Sequence, residues 1–223
     1  EVEDYVVTVE QGYEPKPPTP HLKWSQPPIE IDPVIGQMPI YCGWDEMSFS
    51  TKEAITSVRT WKVAADDFRC LGRMPITSVH WWGSYKNWLG QDVPPGAQPV
   101  YWHIGFWSNV PAGAGQTHFS RPDKLLHQVR IDPAQVEIVW VGMDEFPDPT
   151  IAPESCFQYY VQLLEEDWFW QNSFIEETRD KVFWISITAV YDGFPGPEYP
   201  WGWKTRPAHW MDDAVTFDAT REK

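Results

Sequence analysis

Three stretches of this chain are apolar on both of their alternating faces, and that restricts the folds open to it. They are Pro75–Trp88 (PITSVHWWGSYKNW), Pro99–Trp107 (PVYWHIGFW) and Lys181–Tyr191 (KVFWISITAVY). Side chains of an extended strand point alternately to opposite sides. In the first stretch Val79, Trp81 and Tyr85 therefore share one face, and Ile76, His80 and Trp82 the other. β-Branched and aromatic residues fill all three, with Pro75 and Gly83 as punctuation in the first. A strand apolar on both sides belongs in the middle of a layered β structure, covered above and below. With 22 Pro in 223 residues, long helices are disfavoured and many strands joined by loops are expected.

The remaining strands follow from the same pattern. Thr60–Ala64 reads as a strand leading into ADDFRC. Leu125–Ile131 and Val136–Val141 read as an antiparallel pair, turned by Asp132-Pro133. Cys156–Leu164 reads as another strand, and EEDWFWQ as a short helical turn. Ile29–Ser57 carries the breakers Pro33, Gly36, Pro39 and Gly43 and reads as loop. About nine strands at short spacing, with no helical periodicity between them, predict an all-β fold, a jelly-roll-like antiparallel β-sandwich with an extended N-terminal arm.

That arm is the part of the chain that differs from the rest. Asp4–Glu10 has a strand pattern: Tyr5, Val7 and Val9 share one face, Val6 and Thr8 the other. Pro15, Pro17, Pro18 and Pro20 then impose an extended spacer. The expected organisation is residues 1–23 as strand plus spacer and residues 24–223 as one sandwich domain. A strand held off by such a spacer either folds back across its own domain or pairs with another molecule.

A formal charge of -15 repels phosphates and disfavours nucleic acid as a partner. No run reaches the ~20 apolar residues of a membrane helix. The chain begins at Glu1 rather than Met, which leads us to expect a processed, extracellular protein whose signal peptide has been removed. Oxidising surroundings would then favour one disulfide among Cys42, Cys70 and Cys156. None of the three has the spacing of a zinc site.

Three groups of residues are candidates for chemistry. The doublets Asp66-Asp67 and Asp212-Asp213 offer hard oxygen ligands near opposite ends of the domain, so calcium is the cofactor to test and none is required. Adjacent carboxylates on a strand point to opposite faces, so neither doublet is a catalytic pair by itself. His80 and His103 lie in predicted central strands; on facing strands two neutral imidazoles could bind a metal, whereas core histidines with satisfied hydrogen bonds are the commoner outcome. Among 15 tryptophans most must be core. Trp88, Trp168, Trp170, Trp201 and Trp203 lie at loops or strand ends and are candidates for a ligand platform or an interface.

The runs ADDFRC, ITSVHWWGSY, HIGFWSNVPAG, SCFQYY, EEDWFWQ, VFWISITAVY and WGWKTRPAHWMDDAV together resemble an uncharacterised Trp-rich domain of secreted prokaryotic multidomain proteins. The resemblance covers roughly Lys23–Phe217 and leaves the arm outside. It implies an extracellular β-sandwich and supplies no catalytic residues.

The leading expectation is a non-catalytic structural subunit of an extracellular assembly or filament, with itself as partner. Its arm, Tyr5, Val6, Val7, Thr8 and Val9, would join copies head to tail by donating a β-strand. The alternative is a carbohydrate-binding module that stacks a glycan on exposed tryptophans. A third reading, a secreted glycoside hydrolase, requires two carboxyls facing each other across a cleft.

Overall fold

A computed structural model describes residues 6–9, 21–31, 38–51, 62–69, 74–114, 118–146, 150–171, 182–193, 196–206 and 213–218. The first of two sheets has nine strands. They are β1 (Val6–Val9), β2 (His21–Trp24), β3 (Ile29–Ile31), β4 (Ile40–Cys42), β5 (Trp44–Met47), β8 (Ser78–Tyr85), β11 (Glu137–Glu145), β12 (Ser155–Gln162) and β14 (Trp201–Thr205). The second has six: β6 (Phe49–Thr51), β7 (Lys62–Arg69), β9 (Tyr101–Val110), β10 (Arg121–Ile131), β13 (Val182–Tyr191) and β15 (Val215–Asp218). The two sheets pack face to face as the all-β sandwich expected from the alternation. Pairing is antiparallel except for two short parallel ladders, β4 with β11 and β6 with β13.

The three two-faced stretches are β8, β9 and β13, and each has neighbours on both sides. Trp81, Trp102, Trp184 and Trp201 are fully buried. Trp81 stacks on Tyr159 at 5.3 Å with 8° between the planes. Trp102 meets Trp201 edge to face at 4.9 Å. Each such side chain removes ~150–250 Å² from water, so a few aromatics fill the space between the layers.

Several local expectations are corrected. Leu125–Ile131 and Val136–Val141 do not pair with each other: β10 pairs with β9 in one sheet and β11 with β12 in the other. The connection is a 3-10 turn, Pro133–Gln135, so the chain arches between layers there rather than making a hairpin. Asp132 caps that turn, its carboxylate accepting from Ala134 N–H at 2.8 Å while the Asp132 N–H donates to Gln135 Oε1 at 3.1 Å. Within the expected loop Ile29–Ser57, the described residues 29–31 and 38–51 contribute β3, β4, β5 and β6. Ile76 belongs to the same core as Val79 and Trp81, since it precedes β8 and bridges to Phe169 instead of continuing the alternation. β2 runs across the expected boundary at residues 23 and 24 and pairs with β1.

One topological detail positions the candidate site. β8 pairs with β12, β12 with β11, β11 with β4, β5 with β14, and β14 with β8. β4 and β5 are consecutive, joined at Gly43. The pairings therefore close a circuit on the side of the first sheet away from the sandwich core. Gly43 makes the corner, with φ +149°. A Cβ there would lie 1.9 Å from the Thr205 carbonyl oxygen, so no other residue fits.

Candidate functional site

Strands β8, β12 and β14 send alternate residues to two buried places. Trp81, Phe157 and Trp201 enter the core between the sheets, while Trp82 and Cys156 lie on the opposite face with Tyr41. Lys204 follows this second parity on β14 and enters the closed circuit. Its Nζ lies 2.8 Å from Asp45 Oδ2 and 2.9 Å from Asp144 Oδ1. The Lys204, Asp45 and Asp144 side chains are 1%, 7% and 0% exposed. Asp45 and Lys204 are direct cross-strand partners in the β5–β14 ladder. Asp144 comes from β11, beside Tyr41 of β4.

Around this trio the polar contacts continue. Ser84 Oγ donates to Asp144 Oδ2. Glu154 is buried, and its Oε1 accepts from the Asn87 N–H at 2.5 Å. Asn87 adopts φ 62° in the turn after β8, a conformation that asparagine tolerates. The Glu154 carbonyl accepts from Asp144 N–H at 2.8 Å, which ties this carboxyl to the same circuit. The Phe146 ring lies 5.2 Å from Lys204 Nζ.

Burial and crowding perturb these groups strongly. Burial pushes the Asp45 carboxyl up to about 8, and the neighbouring Asp144 charge adds to this against the opposing pull of Lys204. Glu154 is pushed up to about 7, again chiefly by burial. Burial also works against the Lys204 ammonium, but Asp45 and Asp144 outweigh it and hold the lysine above its ordinary value. One ammonium thus faces three carboxyls, of which Asp45 keeps its proton at neutral pH. The Cys156 thiol is pushed well up by burial and by the Asp144 charge, which disfavours the thiolate.

Asp45, Asp144 and Glu154 bring carboxylate oxygens within 4.8 Å of one another. Lys204 already sets its ammonium against two of the three, so the cation built into this place is the lysine.

The residues singled out from the sequence lie elsewhere. Asp66 and Asp67 sit on β7, Asp67 fully buried and Asp66 half-buried, on opposite faces as alternation requires. β15 pairs with β7, which returns the chain end carrying the exposed Asp213 to that strand. Asp212 lies outside the described residues. Trp201 and Trp203 are buried in the core and cannot serve as an exposed platform. Trp88 and Trp168 are half-buried, and Trp170 is 46% exposed. Trp168 and Trp170 lie 6.4 Å apart with their planes 51° apart.

His80 and His103 fall in different sheets and make no pair. His80 packs on Tyr160 at 4.4 Å, and His103 Nε2 lies 3.0 Å from Gln128 Oε1. Cys42 and Cys156 carry free thiols, and Cys70 lies outside the described residues. Of the three pairings open to the expected disulfide, Cys42 with Cys156 does not form, because β11 runs between β4 and β12. Two strand spacings, ~9.5 Å, exceed the ~7 Å reach of a disulfide. Tyr5 is likewise outside the described residues, while Val6, Val7, Thr8 and Val9 form β1.

β1 occupies a second place of interest. Of the two outcomes expected for the arm, it takes the fold back across its own domain: β1 lies between β2 and β8 of the same chain, with Val6, Val7 and Thr8 paired to His80, Val79 and Ser78. Beyond this, β8 pairs with β14 at Gly83, Ser84 and Tyr85. The arm strand and β14 therefore share one side of β8, one after the other.

A depression of about 490 Å³ at the surface is lined in part by Asp132, Tyr191 and Asp192. The Asp132 carboxylate in it is already engaged in capping a turn.

Residues 22–223 match the model of a family described as Domain of unknown function (DUF7901). No curated protein and no solved structure matches the chain. No helix among the described residues is long and apolar enough to cross a membrane.

Proposed function

The chain belongs to this family of unknown function, and on that premise we propose that it is a non-catalytic structural subunit of an extracellular assembly, joined head to tail through its N-terminal strand. One observation carries this reading. The strand beside Ser78, Val79 and His80 comes from residues 6–9, while the family match begins at residue 22. A place along a central strand is thus filled by a segment outside the residues that match the family. Backbone donors and acceptors along β8 need a partner there, and any copy's arm supplies the same ladder in the same register.

Geometry makes exchange between copies feasible. Residues 10–20 connect β1 to β2. Eleven residues rich in proline span up to ~36–40 Å when extended, about one domain width. Closure within one subunit and donation to the next differ in which chain supplies β1, and concentration decides between them.

Light scattering of the full chain over a concentration series tests this reading. Growth into oligomers that is lost when residues 1–20 are deleted, with the shortened chain still folded, is the expected result. A full chain that stays monomeric at all concentrations, with a deletion that unfolds the domain, overturns it.

The glycan-binding alternative keeps one specific support, the exposed Trp170 beside Trp168. For a hydrolase, the strongly shifted carboxyls, Asp45 and Glu154, are enclosed rather than set across a cleft.

A further inference from the structure

The buried trio of Lys204, Asp45 and Asp144 has no role in strand exchange, and its composition is unusual for a structural ion pair. A lysine buried for charge balance needs one carboxylate. Here two carboxyls contact the same Nζ, at 2.8 and 2.9 Å, in a place with almost no solvent. Burial of several ionisable groups together is costly unless they neutralise one another.

We propose that this is a modification site, at which the Lys204 amine condenses with the Asp45 side-chain carboxyl to form an intramolecular isopeptide bond, with Asp144 as the proton-transfer group. Asp45 is the acyl partner because it lies directly opposite Lys204 in the β5–β14 ladder, which fixes both backbone ends. The N···O contact of 2.8 Å leaves Asp45 Cγ no more than one C–O bond further away. That is close to the roughly 3–3.5 Å of near-attack geometry, in which intramolecular reactions gain most from prepaid entropy.

The protons balance among the three groups. Asp144 takes one proton from the Lys204 ammonium across their 2.9 Å contact, leaving a neutral amine. The Nζ lone pair attacks Cγ of the protonated Asp45 carboxyl, and a C–N bond forms as the carbonyl π pair moves to oxygen. A second proton leaves nitrogen, by way of Asp144, for the departing hydroxyl. The C–O bond breaks, water leaves, and Asp144 remains protonated beside the new amide. No oxidant, cofactor or activated donor is needed.

The surroundings favour the neutral product. Burial and the Asp144 charge keep the Asp45 carboxyl protonated, which makes it the electrophile rather than an inert carboxylate. Ser84 Oγ orients Asp144 by donating to its second oxygen. An amide removes two buried ionisable groups from a site that solvates them poorly. The inference is independent of how the arm pairs, since none of these residues lies in it.

Mass spectrometry of the denatured, reduced full chain, with peptide mapping, tests it. A chain lighter by one water is expected, with a proteolytic fragment that joins the segment holding Asp45 to the segment holding Lys204. Other dehydrations give the same loss of mass, so the joined fragment decides. Lys204→Arg should abolish the fragment, and Asp144→Asn should abolish or greatly slow its appearance in chain that remains folded by circular dichroism. Separate, unmodified fragments from folded wild-type chain after long incubation at neutral pH overturn the proposal. A link to Asp144 instead of Asp45 overturns the assignment of the acyl group.

Discussion

Lys204 and Asp45 touch at 2.8 Å across neighbouring strands, although 159 positions separate them in the chain. β5 comes early in the sequence and β14 late, and this contact is where they close the circuit through β4, β11, β12 and β8. The first sheet therefore buries residues on both sides: aromatic side chains toward the sandwich, and a charged group toward the circuit.

The arm gives the first prediction. Alternation places Tyr5, Val7 and Val9 on one face of the arm strand. Val7→Asp introduces a charge into a strand that must lie against the domain. It should abolish assembly nearly as completely as deletion of residues 1–20, as read by light scattering or electron microscopy. Wild-type oligomers from the Val7→Asp chain would count against strand donation.

Glu154 gives a pH dependence. Its folded pKa is raised to about 7 from an ordinary 4.5. The folded state therefore holds the proton more tightly, and this contribution to stability is full below about 4.5. It falls away as pH rises through about 7. Denaturant midpoints should drop over that window, and Glu154→Gln should flatten the drop. Asp45 acts in the same direction up to about 8 wherever its carboxyl remains free. A midpoint that rises between pH 5 and 7 would contradict this account.

Gly43 is the corner of the circuit. With φ +149° and the Thr205 carbonyl 1.9 Å from a notional Cβ, Gly43→Ala must both strain the backbone and push β14 away from β5. A loss of at least ~1–3 kcal/mol is expected from urea unfolding. Unchanged stability would mean that the corner is not as tight as described.

Tryptophan replacements separate packing from recognition. Trp201 is fully buried against Trp102, so Trp201→Ala should cost ~3–5 kcal/mol. Trp170 is 46% exposed, and Trp170→Ala should leave stability within ~0.5 kcal/mol of the parent. If Trp170→Ala weakens retention on a polysaccharide column without lowering stability, the glycan-binding alternative gains over the structural one.

The sandwich was legible because the alternation in Pro75–Trp88, Pro99–Trp107 and Lys181–Tyr191 is long enough to register. The buried site was not. Asp45 sits in β5, four residues long, and the flanking β4 and β6 have three each. Strands that short show no alternation above chance, and Pro39 and Gly43 read as breakers when Gly43 is in fact a corner. Asp144 and Glu154 border an acidic stretch, MDEFPDPTIAPES, whose composition points to solvent. Lys204 in WGWKT was overshadowed by its tryptophans, though its parity is opposite to theirs: Trp201 and Trp203 face the core, so Lys204 must face the other way. The sequence signal for the site is the lone lysine that follows two alternating tryptophans in WGWKT. Pairing partners so distant in sequence leave no local trace, which is also why the β10–β11 arch reads as a hairpin in the sequence.

The Gly43 corner also bears on when this molecule can fold. During synthesis β5 emerges well before its partner β14, which follows β13. Until then Asp45 and the free edge of β5 have no partner on the ribosome, and the circuit cannot close. Folding of the first sheet is thus held back until β14 has left the ribosome, with slow kinetics set by loop closure over the 159 positions between Asp45 and Lys204. A chain truncated before Trp201 would present an open edge and an unbalanced pair of buried carboxyls, and should be recognised as unfinished by chaperones or proteases.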